Sequence, residues 1–273
     1  MQPIDGYAGG ELATEWSALG NRFSARPPRP AMLVQTNGCA GDPAFRAGAD
    51  HTVPVMADAD ALELIRGQRR RLASRGPDFT RADGDFERVS VPERDGDVLR
   101  DLISSKRPKT VIEIGLAYGS SALAIAEGLV SSHVTDARHV IIDAYQETFR
   151  NAGWDALVGA GLTDTCLLLR ERSQLALPQL IRDGFVADAA FVDGSHIFHN
   201  VFVDLFFLRQ IVQPGGLVIL DDCDWPSVAT TVRYFEVNTG WLREDLPTRT
   251  RLRAYRLPDA LVEPNFEDFK LFA

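Results

Sequence analysis

The sequence predicts an α/β fold, a doubly wound and mostly parallel seven-stranded sheet preceded by an N-terminal irregular and helical extension. Two observations lead there. After Phe79, short apolar runs alternate with longer helix-like segments at the spacing of repeated βα units. The apolar runs are also bounded by glycine or aspartate, as strands are when they deliver the chain into turns.

Taken in order, residues 1–55 are rich in Gly, Pro and Ala around Arg26-Pro27-Pro28-Arg29-Pro30 and show no sustained period, so they read as an irregular arm. Leu62, Ile65 and Leu72, with Leu64 beside them, fit a helix over 59–73 that Gly76-Pro77 ends, a packing helix or else a lid or dimer contact. Residues 1–85 are therefore the extension and 86–273 the main domain. Within that domain, Val98, Leu99, Leu102 and Ile103 mark a helix that stops near Lys106-Arg107-Pro108. Strands follow at 110–114, 139–143, 166–169, 189–193 and 217–220. Ser120 and Ser121 sit where helix N-caps belong, ahead of Leu123, Ile125, Ala126 and Leu129. An apolar helix over 201–212 is stopped by Pro214-Gly215-Gly216, and the tail offers two more strands at Trp241-Leu242 and 252–256.

The formal charge of -9 argues against a surface that neutralises phosphates, so no nucleic-acid partner is expected, and Arg69, Arg70 and Arg71 read as one solvated helix face. Cys39, Cys166 and Cys223 are widely spaced and lack a C-x-x-C pair, which suggests neither a disulfide framework nor a zinc site and fits a reducing cytoplasm. The chain starts without a basic, then apolar leader, and no stretch is long enough to span a bilayer, so no membrane association is expected.

The first chemistry-bearing cluster is Glu113-Ile114-Gly115-Leu116-Ala117-Tyr118-Gly119-Ser120-Ser121, between a strand and a helix, where a doubly wound sheet takes its ligand. Gly115 permits a tight turn and Gly119 lets the helix begin against the sheet. A bare Gly-x-x-x-Gly also occurs as simple packing. Asp143, however, closes the next strand, where its carboxylate can accept the ribose hydroxyls of a nucleoside. A dinucleotide would require Gly-x-Gly-x-x-Gly, and Glu113 would repel its pyrophosphate. A cationic sulfonium nucleoside suits that carboxylate better.

The second cluster joins Asp193-Gly194-Ser195-His196 to Asp221-Asp222 at the ends of neighbouring strands. Three carboxylates brought together repel, so proton sharing, basic neighbours or a divalent cation must offset them, and hard oxygen ligands suit Mg²⁺. His196 sits where its imidazole can take a proton from a substrate hydroxyl, while His51, His133, His139 and His199 read as surface or packing residues.

Together, Val111-Ile112-Glu113-Ile114-Gly115-x-x-x-Gly119-x-Ser121, Asp143, Phe191-Val192-Asp193-Gly194-Ser195-His196 and Pro214-Gly215-Gly216-x-x-x-x-Asp221-Asp222 resemble the motifs of class I S-adenosylmethionine-dependent methyltransferases. The likeness covers Val89 to Asp222 and is greatest to small-molecule O-methyltransferases of the catechol, caffeoyl-CoA and macrocin types, whose lead-in segment Val89-Ser90-Val91-Pro92 also resembles. It implies that Glu113, Gly115, Tyr118, Gly119 and Ser121 surround the methionine end of the cofactor, Asp143 the ribose and Ser173 the adenine end, with Asp193 beside them. It further implies that Asp193, Asp221 and Asp222 hold Mg²⁺ or another divalent cation, and that Asp193 and His196 serve catalysis. Leu116-Ala117-Tyr118 departs from the Gly or Thr common in that loop, and Asp222 stands where many relatives have Asn.

The resulting expectation is methyl transfer to a hydroxyl of a small molecule, in natural-product chemistry by resemblance, with residues 1–85 free to form a lid or a homo-oligomer contact. Three rivals remain: a metal-independent N- or O-methyltransferase with His196 as base, a non-catalytic S-adenosylmethionine-binding protein, and an NAD-dependent oxidoreductase.

Overall fold

The computed structural model describes residues 58–246, 250–261 and 263–272. The expectations for the arm, including Arg26 to Pro30, Cys39 and His51, lie outside the described residues.

Helices α1 (Asp58–Arg75), α2 (Asp85–Val89) and α3 (Glu93–Lys106) precede the sheet. The chain then alternates through β1 (Thr110–Ile114), α4 (Ser120–Ser131), β2 (Arg138–Ile142), α5 (Ala152–Gly159), β3 (Cys166–Leu169), α6 (Ser173–Arg182), β4 (Ala187–Val192), α7 (Phe198–Ile211) and β5 (Val212–Leu220). Helix α8 (Pro226–Thr239) leads to β6 (Leu242–Glu244) and β7 (Arg253–Arg256). The seven strands lie in the order β3-β2-β1-β4-β5-β7-β6, parallel except at β7, which runs antiparallel to both β5 and β6.

Period-two alternation divides the strands between two faces. Ile112, Ile114, Val218 and Leu220 face α6, α7 and α8, which bury Leu177, Leu205 and Phe235 with them. Val111, Phe191 and Ile219 face the opposite layer, against Leu99 and Ile103 of α3 and Ile125 of α4. There α1 completes the cover, with Ile65 and Leu72 packed beside Leu123, Ala126 and Leu157. Glu113 shares its parity with Val111, so its carboxylate is carried into this second layer at 0% exposure.

Some boundaries differ from the sequence expectation for identifiable reasons. β5 begins at Val212 because its pairing with β4 survives across Pro214-Gly215-Gly216 as a register slip between Ala187 and Ala189. Gly119, in the left-handed region at φ 85°, is the N-cap of α4, and Ser120 and Ser121 stand inside the helix. Spacing alone does not announce α5, which is 8 residues long, or α6, which carries Pro178 within it. The arginine run is not uniformly solvated, for Arg69 pairs with Glu127 and Asp97 while Arg66 reaches Glu127 at 2.8 Å, fastening α1 to α4 and α3.

Cys166 and Cys223 are free and buried. No helix among the described residues is long and apolar enough to cross a membrane.

Candidate active site

The sheet order makes a switch point at β1 and β4: the chain winds from β1 to β2 on one side and from β4 to β5 on the other, so a crevice opens beyond the carboxyl ends of β1 and β4. The turn after β1 forms its floor. Gly115 adopts φ 94°, and a Cβ there would lie 2.2 Å from the Asp193 carbonyl oxygen, so no other residue fits. Gly119 is pressed less closely from the other side, where a Cβ would meet the Gly153 carbonyl oxygen at 3.0 Å. Above this turn lies a narrow cleft lined by Ser90, Val91, Gly115, Ala117, Ser121 and Asp193.

Asp143, one strand over, braces the turn. Its Oδ2 accepts the Leu116 and Ala117 amides, each at 3.1 Å, and the Gln146 amide nitrogen at 2.8 Å. Among the described residues Oδ1 accepts the Tyr145 amide alone, at 2.7 Å, which leaves it a lone pair for a further donor. Gln146, fully buried, also donates to the Ala117 carbonyl at 2.9 Å. Sequence reading misses Gln146; its single signal is a place three residues beyond the strand-end acid.

Two residues assigned to the cofactor from sequence have inward-facing side chains. The Glu113 carboxylate accepts the Ser121 hydroxyl and lies 2.8 Å from His139 Nε2, all of them buried beneath α4. Burial alone would lower the His139 pKa, but the Cys166 and Glu113 contacts outweigh it and raise the imidazole to about 9. Glu113 and His139 are thus a buried ion pair supporting the turn, and His139, read from sequence as surface or packing, is a working partner of this network. Tyr118 turns its ring inward between Phe86 and Phe149, and its hydroxyl donates to Asp85. Asp85 in turn is held down to about 2 by the Arg81 guanidinium. Ser173 is the buried first residue of α6.

The acid cluster gathers at the ends of β4 and β5. His196 Nε2 lies 2.8 Å from Asp222 Oδ2 and 3.9 Å from Asp193 Oδ1. Ligand-capable atoms of Asp193, His196 and Asp222 fall within 4.8 Å of one another. Asp221, the remaining acid of the sequence-predicted set, is not among them. Its side chain is fully buried and accepts Arg251 Nε at 2.7 Å and Arg251 Nη2 at 2.6 Å. Arg251 has no motif in the sequence; only the antiparallel pairing of β7 with β5, Leu220 opposite Arg253, brings it to this end of the sheet.

The electrostatics follow from these contacts. The Asp193 and Asp222 carboxylates hold the His196 imidazole protonated, raising it to about 10. Burial, reinforced by Asp221 and Asp222, raises the proton affinity of Asp193. Asp222, on His196 and near Arg251, is shifted down. Asp222 also sits at φ 53°, a left-handed conformation that aspartate adopts at a cost.

A glycine turn at the switch point, a strand-end acid bracing it and an acid–imidazole group facing it define an α/β protein with a ligand crevice at the carboxyl ends of β1 and β4. Comparison with known proteins agrees: residues 112–223 match the family model described as a methyltransferase domain. An Arabidopsis thaliana protein that bears the name caffeoyl-CoA O-methyltransferase is 28% identical over 142 residues, 52% of this chain and 58% of its own length. The chain thus spans somewhat under three fifths of that relative. Among solved structures, the Bacillus cereus O-methyltransferase in complex with SAH aligns at a TM-score of 0.52 and 17% identity, over 75% of this chain and 93% of the other. TomG of Streptomyces achromogenes, an O-methyltransferase of tomaymycin synthesis crystallised with SAM, aligns at 0.53 and 20% identity over 73% and 90%. A SAH-bound methyltransferase of Podospora anserina aligns at 0.54 and 17% identity over 95% and 100%. At these identities the solved structures speak for the fold. The chain resembles class I small-molecule O-methyltransferases in motif order and in architecture.

Proposed function

We propose that this chain moves the methyl group of S-adenosylmethionine to a hydroxyl of a small molecule. The observation that supports it most is that the Gly115 turn and Asp193 share one wall: the main chain carrying the acid is the surface against which the turn is folded. A nucleoside over the turn and an acceptor beside Asp193 are then neighbours by construction. The residues suit the cofactor, since Asp143 Oδ1 has capacity for a ribose hydroxyl and the surrounding acids favour a sulfonium. When bound, S-adenosylmethionine supplies an electrophilic methyl on a cationic sulfur.

The protein's own part is alignment and proton management. Asp193, with its raised proton affinity, takes the acceptor's hydroxyl proton, and His196, held as an imidazolium on Asp222, offsets the local charge. His196 acting as base in its neutral form is the variant to be separated by a pH–rate profile. Assistance from a divalent cation is a second reading, favoured by the grouping of Asp193, His196 and Asp222, and opposed by the grip of Arg251 on Asp221.

The same reading takes residues 86–273 as the catalytic unit and residues 1–85 as its extension, a lid or a contact between copies. It assigns the protein to the cytoplasm, to natural-product or sugar hydroxyls, and to no nucleic-acid partner. Titration calorimetry with S-adenosylmethionine and its demethylated product, followed by label transfer from the cofactor to a panel of hydroxyl compounds, tests it. No measurable affinity for either nucleoside overturns it.

A further inference from the structure

The set Asp193, Asp221 and Asp222 invites a divalent ion, and the structure gives those acids other partners. Arg251 presents its guanidinium edge to Asp221 as a fork, Nε to Oδ1 at 2.7 Å and Nη2 to Oδ2 at 2.6 Å. Its Nη1 stands 3.6 Å from Asp222 Oδ1, and its Nη2 also donates to the Ser90 carbonyl at 3.3 Å. The other oxygen of Asp222 is on His196. Mg²⁺ requires several oxygens converging on one point at about 2.1 Å. Here the two oxygens of Asp221 converge on a guanidinium instead, and that carboxylate is fully buried, so water cannot stand in as its partner.

Charge gives the same answer. A guanidinium already lies on Asp221 and within 3.6 Å of Asp222, so a divalent ion placed between these acids would be set against a fixed cation.

We propose that Arg251 is the resident cation of this site: it takes the place of the expected divalent ion at Asp221 and Asp222, and the cluster works without a metal. Arg251 is a positioning residue, fixing the two acids at the end of β5 and tying the approach to β7 to Ser90 at the cleft. The purpose of this arrangement rests on the methyl-transfer reading, but its test reads metal binding and stands apart from it.

The full chain, stripped with EDTA, is titrated with Mn²⁺ and followed by loss of the free-ion electron paramagnetic resonance signal. The native protein is expected to show no site tighter than about 1 mM. Arg251→Met is expected to acquire one site per chain at least tenfold tighter than any in the native protein, and Arg251→Met with Asp221→Asn to lose it again. Arg251→Lys, which keeps the charge, is expected to stay metal-free. Submillimolar Mn²⁺ binding by the native protein overturns the proposal whether it disappears in Asp221→Asn or survives there on Asp193, His196 and Asp222, as does a folded Arg251→Met that binds no better than native. Should Arg251→Met not fold, the native titration with its Asp221→Asn control decides alone. Nucleoside calorimetry on the same samples separately reports on the methyl-transfer reading.

Discussion

Two histidine–carboxylate pairs in this molecule have the same separation, 2.8 Å, and different surroundings. Glu113 and His139 are both at 0% exposure beneath the glycine turn, whereas Asp222 and His196 stand at the crevice at 17% and 42%. A sealed pair lacks water as an alternative partner, so losing one member strands the other. An open pair can exchange its partner for water or a substrate at little cost. One chemistry thus serves as scaffold in the first place and, on the proposed methyl-transfer reading, as reactive equipment in the second, and burial decides which.

That contrast can be broken experimentally. The largest expected effect is on turnover: Asp193→Asn should lower kcat by about 10² to 10⁴-fold, measured as release of demethylated nucleoside in the presence of an acceptor, with the thermal midpoint nearly unchanged. Glu113→Ala should reverse the pattern, costing about 3 to 5 kcal/mol of stability and lowering the midpoint by roughly 6 to 20 °C in a calorimetric scan. If Glu113→Ala melts like the native protein, the sealed pair is no scaffold. Asp143→Ala, which removes the brace on Leu116 and Ala117, should weaken nucleoside binding by about one to two powers of ten, the loss of two or three hydrogen bonds, read by calorimetry.

Smaller effects sharpen the comparison. His139 has a folded-state pKa raised to about 9 from 6.5, so its stabilisation is complete below about pH 6.5 and fades as pH climbs through 9. The thermal midpoint should fall across that interval in the native protein and stay flatter in His139→Gln; identical slopes would sink the assignment. Smallest of all, His196→Ala should change stability by no more than about 1 kcal/mol, as an open pair does.

Much of the fold was readable because strand and helix periods differ and because glycine marks places where nothing else fits. β1 and β3 fall where the apolar runs place them. What escaped was long-range: His139 reads as a packing residue until β2 is set beside β1, which puts its face next to that of Glu113. Arg251 escaped for the same reason, being 30 residues from the acid it grips and reaching it through an antiparallel strand. At the site, sequence named the acids and His196 but not their partnerships, and it is the partnerships that distinguish a metal ligand from the partner of a guanidinium. The helix caps misled because Ser121 satisfies Glu113 instead of the first turn of α4.

The absence of room for a side chain at residue 115 has one more implication. The two halves of the proposed reaction rest against a single thickness of polypeptide, a sheet of peptide units with no rotamers to adjust. Methyl-group trajectory is then inherited from the sheet itself, and acceptor preference is free to drift in the peripheral loops without retuning the distance over which the group must travel.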